Sequence, residues 1–299
     1  MKQDEPALRG VRRIVAERID STIRILGHRS LGDEQVHEAR KEMKRLRAGL
    51  RLLRSSLGNT VYRRLNRSVR DAARPLTPIR DAKVLRDAFD DVLHEAGKSV
   101  SNAQAGKVLR LLRQEHRASR SELTRTALSA VTGRLREVRR QLDRVPEARL
   151  DATPVDAALE RAYKKARKAL VSARRDPGNE QLHEWRKQVK YHMLQLEFLQ
   201  PLAPKRLGAT IKAAHKLTDY LGDDHDLALL HEKIIIQDSQ APGASNAAAR
   251  DGLVKELRRV RAKLQRKAFR LGRKLYADKP KQIAKRMKKY ANAWRKQTN

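Results

Sequence analysis

The stretch Val36 to Leu57, VHEARKEMKRLRAGLRLLRSSL, constrains the fold more than any other part of this chain, because it carries two helical stripes at once. Apolar residues recur at Val36, Ala39, Met43, Leu46, Leu50, Leu53 and Leu57, in steps of three and four that define one face of an α-helix. His37, Arg40, Lys41, Lys44, Arg47 and Arg51 follow the same step. They are displaced from the apolar stripe by a quarter to a third of a turn at about 100° per residue. Glu38, Glu42 and Arg45 fall on the remaining surface. Cations placed this way flank a buried seam, where a bundle can turn them towards an inner groove. A purely solubilising face would point straight away from that seam.

The pattern returns 146 positions later in Leu182 to Leu199, LHEWRKQVKYHMLQLEFL. His183, Glu184, Arg186, Lys187 and Lys190 repeat His37, Glu38, Arg40, Lys41 and Lys44, while Leu182, Trp185, Val189, Leu196 and Leu199 repeat the seam. A helix start used twice in one chain signals internal duplication. His-Glu-x-x-(Arg)-Lys-x-x-Lys on a helix, present twice in a basic helical chain, resembles the CHAD domain, the conserved histidine α-helical domain that binds inorganic polyphosphate. The resemblance spans residues 5–277 and implies a stand-alone polyphosphate-binding type.

Composition points the same way. There are 69 Lys and Arg against 35 Asp and Glu, a formal charge of +34, which calls for a polyanionic partner to relieve self-repulsion. Hydrophobic residues make up 39% but aromatics only 4%, so the core is expected to be aliphatic, which suits helices. The absence of cysteine excludes disulfides and thiolate chemistry and fits a reducing cytoplasm. The N-terminal MKQDEPALRG has no apolar h-region, and no run reaches the ~18 apolar residues of a membrane span. A soluble, cytoplasmic protein is the expectation.

Along the chain, residues 5–27 predict a first helix, 62–74 a third broken by Pro75 and Pro78, and 81–95 a fourth, with a bend at 97–102. Residues 103–145 predict two antiparallel arms, turning near Ser119–Ser121 or Thr132–Gly133. PEARLDATP, 146–154, separates two halves, 5–145 and 154–277, and 278–299 is a basic tail that either lies on anionic lipid or nucleic acid or packs as a terminal helix. In the second half, Gly222-Asp223-Asp224 is expected to start a new helix, and SQAPGASN, 239–246, a loop. No β-alternating segment is convincing. The expected fold is all-α: two pseudo-twofold-related bundles of about four or five helices each, around a basic groove or pore.

The candidate ligand-binding residues are the two rails, His37, Arg40, Lys41, Lys44, Arg47 and Arg51 with His183, Arg186, Lys187 and Lys190. Helical steps bring such side chains roughly 5–6 Å apart, close enough to engage successive phosphates of one chain. Arg adds a bidentate fork and Lys a mobile point charge. The histidines serve either as phosphate donors or as packing residues tied to a carboxylate. By the resemblance, Arg63, Arg64 and Arg67, matched loosely by Lys205, Arg206, Lys212 and Lys216, also turn towards the ligand. Where the family has Leu-Gly before Arg-Asp, the first half has Leu76-Thr77-Pro78-Ile79, ahead of Arg80-Asp81, whereas the second keeps Leu221-Gly222.

Asp223, Asp224 and Asp226 suit capping and pairing with arginines better than a metal site, since no ligand set is completed. Gly97-Lys98-Ser99 lacks the strand and spacing of a P-loop. No cofactor is implied and no catalysis is required. The expected partner is inorganic polyphosphate, with an implied location on polyphosphate granules. Two alternatives stand beside it: a nucleic-acid-binding or compacting protein, disfavoured by so few aromatic stacking platforms, and a metal-dependent enzyme of phosphate metabolism using Asp223, Asp224 and Asp226.

Overall fold

The structure, a computed structural model, describes residues 1, 5–28, 31–96, 102–240 and 247–298. Among them are thirteen α-helices and no strand. Most of the bend expected at 97–102, the P-loop-like Gly97-Lys98-Ser99 and most of the 239–246 loop lie outside the described residues, as does the side chain of Arg80; position 102 and positions 239–240 are helical instead.

The first half opens with α1 (Ala7–Leu26), whose Leu8, Val11, Val15, Ile19 and Leu26 are buried against α2 (Asp33–Leu52). A helical joint at Leu53 leads into the single turn α3 (Arg54–Leu57). Gly58, with φ +77°, then reverses the chain into α4 (Asn59–Ala73); its φ and ψ lie in a region open in practice only to glycine. A 3₁₀ turn, Arg74–Leu76, leads into α5 (Thr77–Ala96). Pro78 therefore does not break a helix. It sits in the first turn of α5, where its missing N–H has no intrahelical acceptor to lose.

Beyond α5 come α6 (Asn102–Ser121) and α7 (Arg125–Asp143), separated at Thr124, whose hydroxyl accepts from the Ala127 amide at 3.2 Å as an N-cap. These two are not the antiparallel pair expected. Val108 and Leu112 carry α6 onto α5, whereas Val131, Leu135, Val138 and Leu142 seat α7 on α1 and α4. Two apolar stripes that fit different neighbours pull the arms apart. Nor is 146–154 a bare linker: α8 (Glu147–Ala152) is clasped to α1 by Arg9 and Arg12, which pair with Glu147 and Asp151.

The second half repeats this order with two fusions. Helices α9 (Asp156–Arg175) and α10 (Asn179–Leu199) stand in the places of α1 and α2. A short 3₁₀ turn, Gln200–Leu202, then leads into α11 (Pro204–Gln240), one continuous helix where the first half has α4, a proline-marked break and α5. Gly222 is interior to α11 and starts nothing. Without a proline the ladder has no reason to break. Likewise α12 (Ala247–Leu275) runs unbroken along α11, covering the roles of α6 and α7. The basic tail is a packed helix, α13 (Pro280–Thr298), lying on α9, with Met287 buried and Trp294 Nε1 donating to Glu5 O at 3.1 Å.

Three apolar clusters hold these helices. The largest joins α1, α2, α4, α7 and the C-terminal half of α10. A second packs α9, the N-terminal half of α10, α11 and the end of α12. The third closes the tip, where the α5–α6 pair meets the α11–α12 pair through Phe89, Leu112, Leu230 and Leu257. Each fully buried Leu among them contributes about 1.5–3 kcal/mol. The core is largely aliphatic, as the composition suggests, with Phe89, Tyr163, Trp185, Phe198 and Tyr276 as buried aromatics; Trp185 stacks on Phe269 at 5.3 Å. Among the described residues, no helix is long and apolar enough to cross a membrane.

Candidate anion-binding rails

The helices α2 and α10 pack directly against each other. Gly49 permits the approach: a methyl group there would overlap Val15 Cγ2 of α1 and press on Phe198 of α10. The repeat seen in sequence is kept in burial. Val36 and Leu182, Ala39 and Trp185, and Met43 and Val189 are buried. Arg40 and Arg186, and Lys44 and Lys190, are half-buried; His37 and His183, and Lys41 and Lys187, are exposed. Even the local ion pair recurs, Lys41 with Glu38 at 3.1 Å and Lys187 with Glu184.

The contact between the rails is itself repeated. Arg45 of α2 reaches Glu197 of α10 at 3.8 Å, and Arg51 of α2 lies over the ring of Tyr191 of α10 at 3.5 Å. Tyr191 stands 146 positions after Arg45, and Glu197 the same distance after Arg51. The two contacts are thus one contact with the helices exchanged, a pseudo-twofold crossing of α2 over α10. One copy is an ion pair and the other a cation–π stack.

Neutral groups hold the cations along this crossing. Asn66 Oδ1 of α4 accepts from Arg47 Nε at 3.1 Å and from Arg51 at 3.4 Å, and Arg47 is also within 5.7 Å of the Tyr191 ring. Burial pushes the Arg47 pKa down; Tyr191 opposes this, and Arg51 and Arg70 add to it. Lys190 is likewise lowered by burial, with Glu197, Arg186, Asp219 and Arg45 as its charged neighbours. The charge of Arg47 and Arg51, held by neutral partners rather than cancelled by carboxylates, stays available to an anion, whereas Lys190 shares its surroundings with Glu197 and Asp219.

Around this centre the other candidates spread out. Arg40 faces Asp81 of α5 at 3.6 Å. Arg186 lies over Gly222 of α11, its Nε 3.5 Å from where a Cβ would stand. The His183 ring sits 4.5 Å from that of His225, and although the residue reaches solvent its pKa is pushed down by partial desolvation and then by Arg186 and Lys187. His37 lines a small cavity of about 160 Å³ with Asp33, Glu34, Lys83 and Asp87. Beside Arg186, burial and the carboxylates of Asp219, Asp226 and Asp91 raise Asp223 to about 6. Asp224 is buried and accepts from Arg261 Nε at 3.0 Å and from Gln265 at 2.9 Å. Among the described residues, no three His, Asp or Glu side chains are grouped to hold a metal.

Arg63, Arg64 and Arg67 line a cleft of about 420 Å³ between α4 and α7 with Arg134 and Asp71. Arg64 donates to Gln141 at 2.8 Å. Lys216 lines the matching cleft between α11 and α12, about 340 Å³, with Lys267, Arg270 and Lys274. Lys205 and Lys212 are exposed on α11, and Arg206 turns towards Tyr290 of α13 at 5.9 Å from its ring. Lys216 thus shares a cleft with α12, whereas Lys205 and Arg206 lie in the first turn of α11, about three turns away.

Sequence periodicity misplaces one residue and overlooks two. Glu42, expected on the outer surface, is buried at 6% exposure, with Arg18 at 2.7 Å and Arg45 at 2.5 Å on its carboxylate. Both α1 and α10 close over that face, which no stripe on α2 alone could announce. Tyr191 and Asn66 escape notice altogether. The repeat offset holds the one available signal, since it places Tyr191 where the first copy has Arg45.

No curated protein matches the chain. Among solved structures, the crystal structure of the CHAD domain from the plant Ricinus communis has the same fold, with a TM-score of 0.53 and 21% identity over 89% of this chain and 93% of that one. The family model described as CHAD domain matches residues 20–234. With that match spanning most of its length, the chain belongs to the CHAD domain family.

Proposed function

We propose that this protein binds linear inorganic polyphosphate along the crossed cationic rails of α2 and α10. The observation that carries the reading is the way Arg47 and Arg51 are held: a neutral amide and a tyrosine ring orient both guanidiniums and leave their charge uncancelled. Lys190, half-buried among Glu197, Arg186, Asp219 and Arg45, adds a third cation from the partner helix. Polyphosphate carries one negative charge per phosphoryl unit at close, regular spacing, so neighbouring cations on a helix meet successive units. Affinity then arises from charge-assisted hydrogen bonds and from release of condensed counterions, by analogy with nucleic-acid backbones. The role is binding without a catalytic step, and placement on polyphosphate granules follows from it.

A competition titration tests this reading. Labelled long-chain polyphosphate is bound at about 150 mM salt and displaced with either unlabelled polyphosphate or duplex DNA. Polyphosphate is expected to compete at far lower phosphate concentration. Equal or stronger competition by DNA would favour a nucleic-acid binder.

A further inference from the structure

The α2 rail does not end where its twin does. On α10 the cations stop at Lys190, since Met193 and Glu197 occupy the places of Arg47 and Arg51. From α2 the step of three and four continues through Arg47 and Arg51 to Arg54, the first residue of α3, about 15 Å beyond Lys44 at 1.5 Å per residue. There Arg54 meets Arg161 of α9 across a cleft of about 290 Å³, lined also by Ser55, Gly58 and Asn59.

This cleft is built around charge. Arg54 Nε donates to Asn59 Oδ1 at 2.9 Å, and Arg161 donates to Ser55 Oγ at 3.3 Å. Among the described residues, neither guanidinium makes an ion pair, in a protein where Arg9, Arg12, Arg13, Arg18 and Arg139 all do. Arg161 is lowered by burial and by the repulsion of Arg54, with only Glu160 opposing. A Cβ on Gly58 would meet nothing within 4 Å, so that wall of the cleft is open. The repeat does not copy the arrangement, because Gln200 and Pro201 stand where Arg54 and Ser55 stand. From Arg161, exposed Lys164, Lys165 and Lys168 carry the cations on along α9.

We infer that the Arg54–Arg161 cleft is a phosphoryl-anion subsite that receives a long polyphosphate chain as it leaves α2 and leads it onto α9. The inference rests on the polyphosphate reading above. Two guanidiniums held apart by neutral hydrogen bonds need a dianion-like group between them, and a phosphoryl unit supplies oxygens for both forks. The protein is thereby selective for long chains: short ones fill the rails alone.

Calorimetric titration of tripolyphosphate and of long-chain polyphosphate into the full chain and its Arg54→Gln/Arg161→Gln variant tests this. The long chain should bind the variant about tenfold more weakly, the loss expected for charge-assisted hydrogen bonds to one phosphoryl group. The slope of log affinity against log salt should fall by roughly one to two. Tripolyphosphate should bind the variant unchanged, within about twofold. A Lys288→Gln/Lys289→Gln variant on α13, with the same change in net charge, should keep the long-chain affinity of the natural protein. Unchanged long-chain affinity in the double arginine variant, an equal loss for both ligands, or an equal loss in the lysine variant would each overturn the subsite. Failure of the natural protein to bind either ligand would instead overturn the polyphosphate reading.

Discussion

The guanidinium of Arg51 on α2 lies 3.5 Å from the ring centre of Tyr191 on α10, and its pseudo-twofold counterpart is the ion pair of Arg45 with Glu197 at 3.8 Å. The same crossing is therefore closed once by a stack that keeps its positive charge and once by a pair that spends it. The rail is electrically lopsided, most cationic at the Arg47–Arg51 end, where an anion is drawn first.

Replacing Tyr191 with Leu removes the ring without changing charge. A cation–π contact of this kind is worth about 0.5–2 kcal/mol. The variant should lose that much stability in urea unfolding and bind polyphosphate several-fold more weakly, because Arg51 is no longer held in place. A variant that matches the natural protein in both would show that the ring orients nothing.

Gly49→Ala should be destabilising by about 1–3 kcal/mol, since the new methyl overlaps Val15 where three helices converge. Gly272→Ala should behave alike, because a Cβ there would collide with Trp185. Gly133, with nothing within 4 Å of its Cβ position, should gain stability as Ala, by up to about 1 kcal/mol. Thermal unfolding of the three variants checks the order.

Glu42→Gln leaves Arg18 and Arg45 partly buried without their shared carboxylate. The expected cost is about 2–3 kcal/mol, below that of a fully buried pair because both arginines reach solvent. Denaturant unfolding measures it. A cost under about 0.5 kcal/mol would mean that solvent already screens the site.

The acidic cluster beside Arg186 sets a pH dependence. Asp223 is raised to about 6, so as pH rises through that value it gains negative charge and repels a bound polyanion. His183, lowered by partial desolvation and by Arg186 and Lys187, acquires its positive charge only on the acidic side, which works in the same direction. Polyphosphate affinity should therefore rise as pH falls from about 7.5 to about 5, and Asp223→Asn should bind more tightly at pH 7.5 and flatten the profile. Folding stability has a defined sign too. Above the unfolded value of 3.8 the folded Asp223 still holds its proton, so its contribution falls as pH rises from there to about 6. Titrations across this range, with the Asn variant alongside, measure both effects.

The two organising helices and their aliphatic seam were legible in the sequence, because Val36 to Leu57 and Leu182 to Leu199 state their periodicity twice. Helix ends were less so. Pro75 and Pro78 look like breakers, yet Pro78 falls in a first turn, and Gly222 looks like a start, yet it lies inside a 37-residue helix. Local residues permit a break or a start, and the neighbouring helix decides whether the ladder continues. The site divides in the same way. A stripe on one helix names Arg47 and Arg51 but not their partners Asn66 and Tyr191, which come from other helices. Buried Glu42 was misread for the same reason: periodicity on α2 cannot tell which flank α1 will cover.

The rail crossing is tested most directly by the affinity for long-chain polyphosphate of an Arg47→Gln/Arg51→Gln/Lys190→Gln variant, with helicity followed by circular dichroism. The expected result is a loss of about a hundredfold or more, from three cations that meet the ligand, with the helical signal unchanged. Binding as tight as that of the natural chain, in a variant that is still folded, would contradict the assignment of the polymer to α2 and α10.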